Sequence, residues 1–203
     1  MKLYYSPGAC SLASHIVLEW IGEPYEAVPV SREQRKTPEY LQINPAGAVP
    51  AFEHDSWVLT QNAAILNYLA DRFPEAGLCG DGTPKSRAEV NRWLGFVNSD
   101  VHPAFRPLFG ATAYLGDDAS IEKSKDHARS TLRGLFERAD GQLAGHEWIA
   151  GPRSIADTYL YVVTRWTQAV GVALSGLAHL DRHFAAMQAD PGVQRALKQE
   201  GLA

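Results

Sequence analysis

"YYSPGACSLASHIVLEW", residues 4–20, changes its pattern midway. Tyr4 and Tyr5 belong to an aromatic, apolar run ("KLYYS", 2–6) that suits a strand, and Pro7-Gly8 ends it in a turn. From Ser11 the apolar positions Leu12, Ile16, Val17 and Trp20 recur at helical spacing until Gly22. Cys10 stands at the junction. A helix start offers unpaired N–H groups and the positive end of the dipole, which favour thiolate over thiol. A small buried hydrophobe is the alternative reading of the same cysteine. Cys10-Ser11-Leu12-Ala13 supplies no second cysteine, so redox turnover there needs an external thiol.

Working outward, "YEAVPV" (25–30) reads as a second strand, with Pro29 placing it at a sheet edge. "TPEYLQI" (37–43) is a short helix with Pro38 in its first turn. "VPAFEH" (49–54) and "SWVLT" (56–60) form a hairpin through His54-Asp55. "QNAAILNYLADRF" (61–73) is a helix whose apolar side carries Ala64, Ile65, Tyr68 and Leu69. The order β-α-β-α-β-β-α describes an α/β unit around a small mixed sheet. "PEAGLCGDGTP" (74–84) is dense in Pro and Gly and lacks periodicity, as a linker would. Beyond it strand signals vanish, and helical patterns run at about 84–111, 120–144, 155–171 and 178–200. The expected organisation is an α/β domain at 1–77, a linker at 78–84 and an all-α domain at 85–203. "SIAD" (154–157) has the form of a capping box, with Ser154 accepting from the Asp157 N–H.

Composition narrows the partners. The 203 residues carry 19 Lys and Arg against 23 Asp and Glu, with no basic block, so nucleic acid is not expected as a partner. No apolar stretch reaches the roughly 20 residues that span a bilayer, and the opening residues turn polar too early for a signal peptide. Two cysteines, Cys10 and Cys79, make no disulfide framework and fit a reducing cytoplasm. His179 and His183 stand four apart, a metal-binding spacing without a third ligand; solvent-exposed helix positions are the expectation, and no metal is expected.

Two further stretches bear on ligand chemistry. In "NPAGAVP" (44–50) the Val49-Pro50 bond is a candidate cis peptide, which would turn the Val49 N–H and C=O toward a peptide-like ligand. Gln61-Asn62 opens a helix, where backbone N–H groups can hold a carboxylate; a plain cap is the alternative.

Together these elements resemble the glutathione S-transferase family, its bacterial beta class above all. "MKLYYSPGACSLASHIVLEW", "INPAGAVPAF", "LTQNAAILNYLADRF", "VHPAFRPLF" and "SIADTYLY" carry the likeness, which runs from Met1 nearly to Ala203. It implies a thioredoxin-like N-terminal domain, a helical C-terminal domain, a homodimer, and glutathione as co-substrate. It implies that Cys10 lies beside the glutathione sulfur and that His102 hydrogen-bonds that sulfur or the cysteine. Val49, with Pro50 cis, would bind the cysteinyl part of glutathione. Gln61 and Asn62 would take its γ-glutamyl carboxylate, and Asp100 would reach the amine of glutathione held by the partner subunit. Tyr5 and Ser11 are further candidates to assist the thiolate. Phe105, Leu108, Phe109, Tyr114 and Trp166 would wall the site of a hydrophobic electrophile, or else form helical core. Asn62, Gly95 and Pro103 depart from the family pattern, and Pro103 should kink its helix beside His102. The implied activity is conjugation of glutathione to electrophiles, thiol-disulfide exchange through Cys10, or both. The alternative is a non-catalytic protein of this fold that binds ligands or partners.

Overall fold

The structure, a computed structural model, describes all residues from Met1 to Ala203. Strands β1 (Lys2–Tyr5), β2 (Glu26–Pro29), β3 (Ala51–His54) and β4 (Trp57–Thr60) form one sheet in the order β2-β1-β3-β4. β1 runs parallel to β2 and antiparallel to β3, and β3 pairs antiparallel with β4. Helix α1 (Ser11–Ile21) makes the crossover between the parallel strands. Pro29 lies on the edge strand, where its missing N–H costs no ladder bond. Asp55 and Ser56 both take positive φ, which closes the tight hairpin between β3 and β4.

Strand alternation divides the sheet's two faces. Leu3 and Tyr5 point into the main core, while Tyr4 joins Val30, Tyr40, Val49 and Ala51 in a small cluster beneath helix α2 (Pro38–Ile43). Helix α3 (Asn62–Arg72) lies beside α1 on the main-core side. Its buried apolar residues are Ile65, Leu66, Leu69 and Ala70; Ala64 is exposed, one position out of phase with the stripe read from the sequence.

From Pro84 onward all the regular structure is helical. The run expected at 84–111 is three pieces: α4 (Pro84–Gly95), a π-helical turn (Phe96–Val101), and the short α5 (His102–Ala104). Pro103 lacks an N–H, and the preceding backbone widens to a π turn rather than continuing as α-helix; Pro107 falls among the turns that follow. Helix α6 (Asp118–Leu143) begins at Asp117, which caps the Ser120 N–H. Helix α7 (Ile155–Val170) crosses against α1 and α4. The pattern at 178–200 is two helices, α8 (Ala178–Ala189) and α9 (Pro191–Gln199). Pro191 ends the first and opens the second, with Asp190 accepting from the Gly192 and Val193 N–H groups.

The core is continuous across both parts of the chain, from Leu12 and Ile65 to Trp93, Phe136, Leu160 and Leu197. The Pro/Gly-rich connection is pinned within it: Leu78 is buried and its carbonyl accepts from the Ile155 N–H.

Asp157 organises the head of α7. Its carboxylate accepts from the Ser154 N–H and Oγ, the Ile149 N–H and His183 Nε2, all within the interior. The capping box read from the sequence is present in both directions, and the Ser154 side chain accepts from the Ala156 N–H as well. His183 is therefore not a solvated helix position. It lies buried between Asp157 and Trp148, in line with the core positions Leu180 and Met187.

Candidate active site

Cys10 is the residue before α1, half-buried in the turn that follows β1. Its Sγ–H donates to the carbonyl of Val49 at 3.5 Å. The Val49-Pro50 bond is cis, as the sequence suggested, and the Val49 N–H makes no hydrogen bond within the chain. An amide left open in this way is suited to a peptide-like ligand running beside β3.

A cavity of about 330 Å³ opens in front of these groups. One wall comes from the N-terminal part: Cys10, Ala48, Val49, Pro50, Gln61 and Asn62. The facing wall comes from the helical part: Asn98, His102, Pro103, Arg106 and Tyr159. Cys10 and His102, 92 positions apart in sequence, thus share one cavity.

The start of α3 is shaped by Gln61, whose φ of 73° lies in the region that side chains other than glycine avoid. Gln61 and Asn62, where α3 begins, both line the cavity. The Asn62 side chain is already committed. Its Nδ2 donates to the Cys10 carbonyl at 3.0 Å, and its Oδ1 accepts from Ser14 at 2.7 Å. A carboxylate held here would meet backbone N–H groups rather than that amide.

Both titrating groups are displaced from their ordinary values. Burial pushes the Cys10 thiol up to about 11, outweighing the N–H groups of Cys10 and Ser11 and the charge of Arg35, which pull it down. The sequence argument for a thiolate is therefore reversed in the unliganded site: the helix start is present, but desolvation is the larger effect. Burial, and then the positive charge of Arg106, lower the His102 pKa, so the imidazole is neutral at pH 7. Its Nδ1 lies 2.6 Å from the Tyr159 hydroxyl. Burial keeps that phenol protonated, so it can donate to His102 Nδ1, and in that arrangement the imidazole proton sits on Nε2.

The family comparisons match this arrangement. Residues 1–71 match the N-terminal domain of glutathione S-transferases and residues 101–191 match their C-terminal domain. The chain belongs to the glutathione S-transferase family. Glutathione S-transferase GST-4.5 of Xanthomonas campestris pv. campestris is 57% identical over 203 residues, covering 100% of both chains. The structure of the glutathione-S-transferase from Xylella fastidiosa superposes with a TM-score of 0.98 at 55% identity, covering 100% of this chain and 99% of that one. A bacterial beta class glutathione S-transferase from Sphingomonas chungbukensis superposes with a TM-score of 0.89 at 39% identity, covering 100% of both. The chain is a glutathione transferase, with the thioredoxin-like N-terminal fold and helical C-terminal part that the resemblance implied.

Within this glutathione transferase, other candidates sit away from the cavity. The Tyr5 hydroxyl donates to the Gln199 carbonyl, and its ring packs on His15. Ser11 is fully buried and bonds both the N–H and the carbonyl of Ser6, fixing the turn before Cys10. Both are engaged within the fold, and neither lines the cavity. Asp100 is exposed and outside the cavity lining. Gly95 is also outside it, whereas Pro103 lines it.

Phe105 is fully buried and belongs to the core. Leu108 and Trp166 are half-buried, Phe109 is 54% exposed and Tyr114 is 82% exposed. The His102 ring packs on Trp166 at 4.8 Å between centroids, and Trp166 packs on Phe109 at 5.4 Å, so an aromatic wall continues outward from the cavity. Trp166 Nε1 also donates to the Gly8 carbonyl at 2.8 Å, bracing the Cys10 turn from the helical side.

Sequence reasoning missed Asn98, Arg106 and Tyr159. The first two stand four residues either side of His102, a same-face signal that was available. Tyr159 gave no local signal.

Proposed function

We propose that the enzyme binds glutathione in this cavity and activates its thiol for attack on electrophiles, with thiol-disulfide exchange through Cys10 as a slower second activity. The observation that carries the reading is the meeting of Cys10 and His102 in a cavity edged by the open Val49 amide. The cysteinyl backbone of glutathione pairs with Val49, beside cis Pro50. Its γ-glutamyl carboxylate sits on the N–H groups at Gln61 and Asn62. The glutathione sulfur then lies between the Cys10 thiol and His102 Nε2.

In conjugation, Cys10 acts as a neutral donor. Its S–H turns from the Val49 carbonyl to the glutathione thiolate, lowering the cost of that charge. His102 Nε2–H donates to the same sulfur, with its tautomer held by Tyr159. The glutathione thiol releases its proton to solvent, the sulfur attacks the electrophilic carbon, and the leaving group departs with the bonding pair. In exchange, Cys10 must ionise and attack oxidised glutathione. A Cys10–glutathione disulfide forms and one glutathione thiolate leaves. A thiol held near pH 11 makes this slow at neutrality and faster in alkali.

The proposed assembly is a homodimer in which Asp100 reaches glutathione bound by the partner subunit. The proposed division is a glutathione-binding domain at 1–77, a linker at 78–84 and a helical domain at 85–203 that supplies the electrophile wall. No helix of the chain is long and apolar enough to cross a membrane.

The test combines glutathione calorimetry, turnover of 1-chloro-2,4-dinitrobenzene, and intact mass after incubation with oxidised glutathione. Wild type is expected to bind glutathione, to turn over the electrophile, and to gain a reducible adduct that Cys10→Ala lacks. Absence of binding, turnover and adduct together would favour the non-catalytic reading of the fold.

A further inference from the structure

The cavity wall contributed by the helical part holds one cation with no carboxylate to answer it. Arg106 lines the cavity four residues after His102, and no Asp or Glu is among the lining residues. Arg87, Arg92, Arg133 and Arg195 are paired with carboxylates, and among the arginines without such a pair Arg106 is the one that lines this cavity. Arg106 forms no ion pair, and it lies near enough to His102 for its charge to act on that ring. Beside it, His102, Trp166 and Phe109 form the outward-running aromatic wall.

Resting on the glutathione reading above, we propose that the second substrate is an anionic electrophile: its apolar body lies on Trp166 and Phe109, and its carboxylate pairs with Arg106. The glutathione carboxylates have other places within that reading. One lies at the start of α3, and the other faces the N-terminal wall, where Arg35 approaches closely enough for its charge to act on Cys10. Arg106 stands across the cavity from both. A guanidinium suits this task because its planar donors grip a carboxylate in a fixed orientation. A carboxylate anchored there would set the reacting carbon at a defined distance from the glutathione sulfur, so the selectivity should appear in kcat/KM.

Two isosteric electrophiles separate charge from shape: 4-chloro-3,5-dinitrobenzoate and 4-chloro-3,5-dinitrobenzamide. In both, the glutathione sulfur forms a bond to the chlorine-bearing ring carbon and chloride leaves with the C–Cl electron pair. The thiol proton passes to solvent. The measured quantity is the ratio of kcat/KM for the carboxylate to that for the carboxamide, alongside glutathione affinity by calorimetry. Arg106→Gln is expected to lower the ratio at least tenfold, and Arg106→Lys to keep it within about threefold of wild type. The wild-type ratio should also fall as salt is raised, because the pair is partly open to solvent. A ratio unmoved by Arg106→Gln overturns the inference. If glutathione affinity drops while the ratio stays fixed, Arg106 serves a glutathione carboxylate and the inference is likewise overturned. A wild type that binds no glutathione removes the reading beneath it, an outcome calorimetry separates from the other two.

Discussion

The two walls of the cavity are made from different materials. On the N-terminal side the groups that face a ligand are mostly main chain: the Val49 amide beside a cis proline and the N–H groups that open α3. On the helical side they are side chains: Asn98, His102, Arg106 and Tyr159. A main-chain wall depends on backbone conformation and tolerates side-chain exchange. A side-chain wall loses a function with every substitution and relies on helix packing to hold each group in place.

The following experiments break or sharpen that contrast. The largest effect should come from removing the support of the side-chain wall. Asp157→Ala strips the shared acceptor from buried His183 and from the three other donors to that carboxylate, and should cost about 3–5 kcal/mol in urea unfolding. A loss below about 1 kcal/mol would show that α7 is held by apolar packing alone.

Next is the reactivity of Cys10 without ligand. With its thiol pushed up to about 11, iodoacetamide should label it at pH 7.5 about a hundredfold more slowly than a thiol titrating near 9, and the rate should climb until about pH 11. Mass spectrometry of Cys79→Ala isolates the site. The same shift has a stability sign. The unfolded chain releases this proton near pH 9 while the folded protein keeps it, so the contribution present below pH 9 is lost between about 9 and 11. Cys10→Ala should flatten that slope.

Third, Tyr159→Phe frees His102 Nδ1 and with it the choice of tautomer. Conjugation kcat/KM should fall roughly tenfold with glutathione affinity nearly intact. NMR titration of the His102 ring offers a cleaner readout on Arg106: removing that charge should move the titration to higher pH, because Arg106 helps hold the imidazole neutral. The smallest effect belongs to the main-chain wall. Gln61→Ala should change glutathione affinity less than about threefold, because in the proposed binding mode backbone N–H groups make the contact. A tenfold loss would show that the Gln61 side chain reaches the ligand.

This contrast also explains how far the sequence could be read. Short aromatic strands, punctuating prolines and glycines, and a helix-spaced stripe made the N-terminal order legible, and Val49-Pro50 marked the open amide. The helical wall resisted because its groups meet only in three dimensions. Tyr159 finds His102 across 57 positions, and His183 finds Asp157 across 26. His183 carried a fainter sign, since it shares a stripe with Leu180 and Met187. The Cys10 error was one of magnitude: position in a helix start is visible in sequence, and the depth of burial that overrides it is not. Asn62 looked like a ligand group because nothing local shows that Ser14 and the Cys10 carbonyl already occupy it.

The π turn at Phe96–Val101 fits one more residue into a helical turn than an α-helix would, and His102 follows it directly. Each α-helical residue rotates the chain by about 100°. Deleting a single residue such as Ser99 would let the segment relax to α geometry while His102, Pro103 and Arg106 keep nearly the same direction, because five α-helical residues turn the chain about as far as six π-helical ones. Straightening the segment to α-helix at its present length would instead swing all three by about 100°. The π turn thus stores one residue without turning the cavity face away from the N-terminal wall.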